Sequence, residues 1–553
     1  MLNPNPDIKN TMIAQVRKFR KSIIANEAYS AFQHFLCVAI AGTFKRIPML
    51  GYGLSIQKLL ILSIVLLFAS IPYGYTNDFN LPDLGSPSDA SLSKAKEAEI
   101  RQDIVNQIYA YDLVMLDPII FDYIEKLGFR LAAQSENPNA PFDFFLVNEN
   151  VVNASTYPGG LIIIFSGLFL KTETESELAG VVAHEIAHAT QRHASRFYAN
   201  AKKSTIPVFL GLIGAALASR YSSSPDAPVA LATATTALQQ QSMINFTRAH
   251  EYEADRVGIE TLKKANFNPL GMAAFFEKLM RENPVDERYR LPEFLRTHPL
   301  SVNRVSEAKN RAQNYLGTFQ ESELYPFVKE RIRILTKNVE IDDVGYYRKL
   351  FNDKNKSEIT NAEIYGYAMS LNLARKSKQA LEVLNTIKVS NETALLISLL
   401  RANIWSEIDI HKGKKQFEKL YDFYPESPIV IEPYIQMLTR SKSFKNNKKA
   451  RSLARRLVQL YPEKPNYYQL LAVANQNLGR SVEANEALAM KEHHINNNYR
   501  AVRILKNILK DDLDYYQRAR IESKITEYEN LITDRERRRE ILEEQAGRAG
   551  RRG

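Results

Sequence analysis

His184, Glu185 and His188, in the stretch Val181-Val-Ala-His-Glu-Ile-Ala-His-Ala-Thr190, have the types and spacing of a hydrolytic metal centre. Residues four apart share a helical face, so the two imidazoles can converge on one small cation while the Glu185 carboxylate points at a water beside it. The chemistry is zinc-dependent hydrolysis, with the glutamate taking a proton from the water. The surrounding residues suit a buried helix: Leu178, Val181, Val182 and Ile186 are apolar, and Ala179, Ala183 and Ala187 are small. Glu173, Glu175 and Glu177 stand just before, where carboxylates favour a helix start.

Two histidines leave a cation under-coordinated, so a third donor must come from elsewhere. The metzincin continuation needs Gly and His where Gln191 and Ala194 stand, which excludes it. His193 follows five residues on, out of helical phase with the pair, and reads as a structural or substrate-side residue. The better source is Arg248-Ala-His-Glu-Tyr-Glu-Ala-Asp-Arg-Val-Gly258, where Glu251 and Asp255 are again four apart on one face. One carboxylate can bind metal while the other orients a ligand or gives a hydrogen bond, and Glu253 points away. A further histidine, His298, lies in Thr297-His-Pro-Leu300. Pro299 disfavours helix at His298, so that imidazole is presented from a loop.

The runs HEIAHATQRH and RAHEYEADRVG resemble the HtpX and CAAX-prenyl-protease class of zinc metallopeptidases. Pro141-Phe-Asp-Phe-Phe-Leu-Val-Asn148, Pro158-Gly-Gly160 and Thr297-His-Pro-Leu300 narrow the likeness to the BepA-like periplasmic protease-chaperones within it, from about Leu81 to the C-terminal repeats. The resemblance implies His184, His188 and Glu251 as ligands of one Zn2+ per chain, Glu185 as general base, and Asp255 as the assisting acid beside the site. It also implies His298 as a regulatory fourth ligand. Its implied partners are unfolded or misassembled outer-membrane β-barrel proteins and, through the repeats, the barrel assembly machinery. One departure is visible. The family has an Asn-Ala-Phe-Ala-like run before Pro-Gly-Gly, and this chain reads Asn153-Ala-Ser-Thr-Tyr157.

The elements that must position these residues give a mainly α fold with a small β-sheet: a metallopeptidase domain followed by a helical, TPR-like solenoid. Helical patterns run from Ser91 through Ile108 and from Pro118 to Leu131. Phe142, Phe144 and Leu146 alternate as a strand should, and Gly159-Gly160 leads into a second strand, Leu161 to Ser166. A strand just before the metal helix is either an edge on which an extended substrate pairs or an ordinary core strand. Thr205 to Ser219 is apolar but too short to span a bilayer; it fits a core helix, a lid or a membrane-surface helix. Beyond residue 360, Tyr424-Pro-Glu-Ser-Pro428 recurs as Tyr461-Pro-Glu-Lys-Pro465. Ala450 and Ala484 then fall at the small position of a second repeat helix, with Ala380 in an earlier unit. About four degenerate hairpins are expected. Such arrays present protein-binding surfaces.

The 553 residues divide into an N-terminal extension (1–48), a signal peptide (49–76), a linker (77–90), the peptidase domain (91–325), the repeats (330–495) and a charged helical tail (496–553). Met49 opens the signal, Lys58 gives its basic end, and Leu59 to Ile71 its apolar core of thirteen residues, which predicts a periplasmic mature protein. The formal charge of +11 overstates the folded part, because residues 1–76 hold eight Lys or Arg against two acids and leave +5 for the rest. That suits contact with an anionic membrane surface, and without a recognition motif it does not suit nucleic acid. The single cysteine, Cys37, precedes the signal, so no disulfide is expected in the mature chain.

Overall fold

A three-stranded sheet, β1 (Asp143–Val147), β2 (Ala154–Tyr157) and β3 (Leu161–Phe165), has the order β1-β3-β2. β1 runs parallel to β3 with Phe144 opposite Ile162, and β2 runs antiparallel to it with Thr156 opposite Ile162. The computed structural model describes residues 92–200, 248–282, 293–313, 315, 317–336, 343–441, 443–532 and 537. The extension with Cys37, the signal segment, the linker, the apolar stretch 205–219 and the end of the charged tail lie outside the described residues. Leu161 to Phe165 turns out to be the central strand, buried at four of its five positions, and the edge beside it is β2. The turn into β3 requires glycine: Gly160 has φ +77°, and a Cβ there would lie 1.8 Å from the Pro141 carbonyl oxygen.

Helices surround the sheet. α1 is Lys94–Ala110 and α2 is Pro118–Ala132, the latter capped by Asp117 and opened by Pro118 at its first position. α3 (Ser166–Lys171) leads to α4 (Glu175–Thr190), whose N-cap Thr174 accepts from the Glu177 amide while Glu175 and Glu177 occupy the first turn. Leu178, Val181, Val182 and Ile186 of α4 are fully buried, so this helix forms the middle of the domain core. After α5 (His193–Asn200) come α6 (Arg248–Lys264), α7 (Leu270–Glu282), the short α8 (Glu293–Thr297) and α9 (Val302–Gln313). Among the described residues no helix is long and apolar enough to cross a membrane.

From α10 (Leu324–Leu335) the elements among the described residues are all helices: α11 (Asp343–Asp353), α12 (Asn361–Leu373), α13 (Ser377–Leu384), α14 (Ala394–Ile408), α15 (Ile410–Phe423), α16 (Pro428–Thr439), α17 (Phe444–Leu460), α18 (Pro465–Asn477), α19 (Ser481–His494), α20 (Asn498–Ile508) and α21 (Tyr515–Glu529). The recurring Tyr-Pro-Glu-x-Pro run sets the phase, since Pro428 and Pro465 each stand at the start of a helix, where a missing N–H costs nothing. Ala380, Ala450 and Ala484 are buried where facing helices come close.

α10 belongs to both halves. Its Tyr325, Val328 and Ile332 lie on one face in the peptidase core, and Phe327 and Ile334 lie on the other in the first core of the helical array. Arg331 on the same helix donates to Asp117 at 2.7 Å and to the Tyr365 hydroxyl at 2.8 Å, which ties the α2 cap to α12. Farther along, Lys464 pairs with Glu125 at 3.0 Å and sits over the Phe121 ring.

Glu432 of α16 is buried beside this junction and accepts only a long bond from Asn466 at 3.4 Å. Burial, and then the charge of Asp117, push its carboxyl up to about 8. Below the ordinary carboxyl value both folded and unfolded chains carry the proton, so folding pays no penalty there. Between that value and about 8 only the unfolded chain ionises, and stability falls as pH rises. Glu432→Gln should therefore raise the unfolding free energy by about 1 kcal/mol or more at pH 8 and by little at pH 4, as read by urea unfolding at the two values.

Candidate metal centre

α4 carries His184, Glu185 and His188, none more than 1 % exposed, and α6 lies across it with Glu251 and Asp255. The close crossing depends on Gly258, because a Cβ there would come within 3.1 Å of the His184 amide nitrogen. The third contributor is the α8–α9 connection, which carries His298. Its amide donates to the Phe294 carbonyl at 2.7 Å, and its ring lies tilted against the Phe294 ring.

Four donors meet at one point: one atom from each of His184, His188, Glu251 and His298, all within 4.8 Å of one another. His184 Nε2 lies 3.0 Å from His188 Nε2 and 3.3 Å from His298 Nδ1. Glu251 Oε2 is 3.5 Å from His184 Nε2 and 3.2 Å from His298 Nδ1, and Oε1 is 3.4 Å from His188 Nε2. Donors about 2.0–2.1 Å from a tetrahedral ion stand about 3.3 Å apart, so these separations fit one small ion. The charge also fits: among the described residues, buried Glu185, Glu251 and Asp255 face a single buried guanidinium, that of Arg304.

The surrounding groups set the state of each donor. Burial pushes the Glu251 carboxyl up, but His298 and the bonds from His184 and His188 outweigh it and hold it well below the usual range. Burial lowers the His188 imidazole to about 3, which leaves it neutral with a lone pair to give. Burial also acts against a charged His184, yet the bonds to Asp255 and Glu251 prevail and raise it to about 9, so the site favours positive charge there.

Each histidine of α4 has a partner behind it. His184 Nδ1 is 3.0 Å from Asp255 Oδ1, and Asp255 is gripped by Arg304 through Nε at 2.8 Å and Nη2 at 2.9 Å. Arg304 Nη1 reaches Glu251 at 2.9 Å and the Pro299 carbonyl at 2.8 Å, so one arginine braces both carboxylates and the loop after His298. His188 Nδ1 is 2.7 Å from His193 Nδ1, and His193 Nε2 is 3.0 Å from Glu253 Oε2. Two facing nitrogens cannot both carry hydrogen. With His188 turning Nε2 to the donor cluster, its Nδ1–H donates to His193, whose own hydrogen is then on Nε2 and goes to Glu253. Glu253 does point away from the four donors, as the helical phase predicts, and it ends this chain of hydrogen bonds.

Glu185 sits beside the cluster. Its Oε2 is 2.8 Å from the Thr156 hydroxyl on β2, while Oε1 makes no hydrogen bond among the described residues and lies 3.4 Å from His298 Nε2. The structure thus brings together all six residues singled out from sequence and adds Thr156, His193 with Glu253, and Arg304. Arg304 left a trace in the sequence: it shares the apolar stripe Val305, Ala308, Ala312 of α9, where an unpaired arginine would not be tolerated. Thr156 left none.

Residues 118–312, which contain every one of these groups, match the model of peptidase family M48. The chain is 32% identical over 412 residues to the beta-barrel assembly-enhancing protease of Yersinia pestis, an alignment covering 72% of this chain and 81% of that protein. It is 38% identical over 254 residues to the beta-barrel assembly-enhancing protease of Escherichia coli K12, covering 45% of this chain and about half, 51%, of that one. It is also similar, at 28% over 223 residues, to the mitochondrial metalloendopeptidase OMA1 of Arabidopsis thaliana, with 40% and 42% covered.

Proposed function

This chain belongs to peptidase family M48 and is a metalloendopeptidase, and from that premise we propose that it is a periplasmic zinc enzyme that promotes assembly of outer-membrane β-barrel proteins and degrades misassembled ones. The observation that carries the reading is the buried set of four donors with the Glu185 carboxylate beside it. Three nitrogens and a carboxylate at tetrahedral separations suit zinc better than magnesium or calcium, which prefer all-oxygen surroundings at higher coordination number. His184, His188 and Glu251 would hold it. The chemistry such an ion supplies is a more acidic water and a polarised scissile carbonyl.

The chain's own residues do the rest. Glu185 takes a proton at Oε1 and returns it to the leaving amine. Asp255 acts through His184, fixing its hydrogen on Nδ1 and so its lone pair on Nε2, and Arg304 keeps Asp255 ionised. His298 is the fourth donor of a latent state. The relatives' names support the outer-membrane substrates, and the helical array from α10 onward, with its TPR-like phase of prolines and small residues, supports a role in docking to the assembly machinery. The test is metal analysis, expecting one zinc per chain, together with digestion of casein and of a misfolded barrel protein.

A second reading, a chaperone scaffold whose protease centre is normally silent, is favoured by His298 lying among the donors. Glu185→Gln separates the two in cells. Loss of every phenotype speaks for proteolysis, and loss of substrate degradation alone speaks for the scaffold.

The chain from His188 through His193 to Glu253 has its own expected outcome. His193→Ala removes the acceptor that fixes the His188 tautomer, so zinc should bind at least about tenfold more weakly in chelator competition, with the fold intact by circular dichroism. Glu253→Gln, whose amide oxygen still accepts from His193, should lose less. Equal zinc affinity in wild type and His193→Ala would remove His193 from the site.

A further inference from the structure

The run in which this chain departs from the family it resembles, Asn153-Ala-Ser-Thr-Tyr157, forms β2 and the residue before it. Where the Asn-Ala-Phe-Ala-like run has its second alanine, this chain has Thr156, and the Thr156 hydroxyl lies 2.8 Å from Glu185 Oε2 and 2.7 Å from the Glu185 carbonyl oxygen. An ionised carboxylate and a carbonyl only accept, so the single hydroxyl hydrogen serves both. The carbonyl contact anchors the hydroxyl to the α4 backbone, and the carboxylate contact anchors the side chain to the hydroxyl. Threonine suits this task because branching at Cβ restricts its first torsion.

The consequence for Glu185 is that its two oxygens are unequal. Oε2 has its negative charge engaged by Thr156. Oε1 makes no hydrogen bond among the described residues and faces His298 Nε2, on the side of the four donors. The terminal torsion of a glutamate is broad and nearly two-fold, so without a partner on one oxygen the torsion itself does not fix which oxygen faces the donors. An alanine at 156 gives no such partner.

We propose that Thr156 is a positioning residue for the general base: it holds Glu185 through Oε2 so that Oε1 is the oxygen that accepts the proton. The inference rests on Glu185 being the base. It concerns a residue two strands' width from β1 and on no helix that carries a donor, and it assigns a task to the run in which this chain departs from the family it resembles.

The experiment compares Thr156→Val, which keeps the shape and loses the hydroxyl, with Thr156→Ser, which keeps the hydroxyl. Both are made in the full chain, with and without His298→Ala. Cleavage of a quenched-fluorescent peptide should show kcat falling about tenfold in Thr156→Val with KM unchanged, the size expected for losing a hydrogen bond to a charged group, and Thr156→Ser should stay near its parent. Zinc content and the thermal midpoint should match the parent in both. A crystal structure of Thr156→Val supplies a readout that needs no turnover: the Glu185 carboxylate should be turned or split between conformers. Unchanged kcat, a loss confined to KM, a Thr156→Ser enzyme as slow as Thr156→Val, or a Glu185 carboxylate in its parent position would each overturn the inference. If Glu185→Gln kept full activity, the base assignment itself would fail, whatever the threonine variants do.

Discussion

Glu185→Gln should bind zinc as wild type does and lose peptide hydrolysis by a factor of about 10³ or more, near the upper end of what a general acid–base group contributes. The amide has the same shape and still accepts from the Thr156 hydroxyl, so the side chain stays beside the donors. What it cannot do is take a proton at the position of Oε1. Metal and activity should separate in this variant and in no variant of the proposed ligands: His184→Ala and Glu251→Ala should lose both. The third donor is tested by the same pair of readouts. Glu251 has oxygens within 3.5 Å of His184, His188 and His298, whereas Glu253 is 3.0 Å from His193 on the far side of His188. Full zinc occupancy in Glu251→Ala together with an emptied site in Glu253→Ala would reverse that assignment.

The division between what could and could not be read from the chain follows the range of the interactions. His184 with His188, and Glu251 with Asp255, are legible because a helix fixes the geometry of residues four apart without reference to anything else. The start of α4 is legible for the same reason, since a Thr174 cap and acids in the first turn act over one turn. Pro428 and Pro465 mark helix starts because a ring that lacks an N–H tolerates few other places. His193 is out of phase with the pair on α4, as the sequence implies. A turn breaks the helix at Gln191 and Arg192, where Arg192 has φ +52°, and the chain re-enters as α5 with His193 behind His188. β2 was missed because Ser155-Thr156-Tyr157 has no apolar alternation, and only its pairing with β3 makes it a strand. The shared helix α10 was equally hidden, because two apolar faces on one helix look alike in sequence whether they fill one core or two.

His298→Ala should raise basal proteolysis and self-cleavage by about a hundredfold if the latent form holds about 99 % of the molecules, and it should leave zinc content unchanged. The geometry gives His298 two blocking contacts at once. Its Nδ1 stands 3.3 Å from His184 Nε2 and 3.2 Å from Glu251 Oε2, completing the donor set, while its Nε2 stands 3.4 Å from Glu185 Oε1, the oxygen that must be reached by the proton. A neutral imidazole is a good zinc ligand, so in the proposed latent form His298 would close both the fourth position and the base to water. Among the described residues, the groups that hold the loop presenting it include the Phe294 carbonyl and ring and the Thr297 contact to Asn153 on one side, and Arg304 on the Pro299 carbonyl on the other. A substrate or partner that binds better when the loop is withdrawn would shift the population toward the active form, and its effect cannot exceed its preference for that form. Alanine at 298 removes the donor and leaves Arg304, Asp255 and the three other donors in place, which is why zinc should remain. Adding Glu185→Gln to His298→Ala should silence the gain, because the released activity still needs the base. Cobalt substitution gives an independent check: the absorption of the cobalt-loaded variant should change as a nitrogen donor gives way to water. Unchanged basal activity with a cobalt spectrum identical to wild type would mean that His298 is a turn residue held by Phe294 and nothing more.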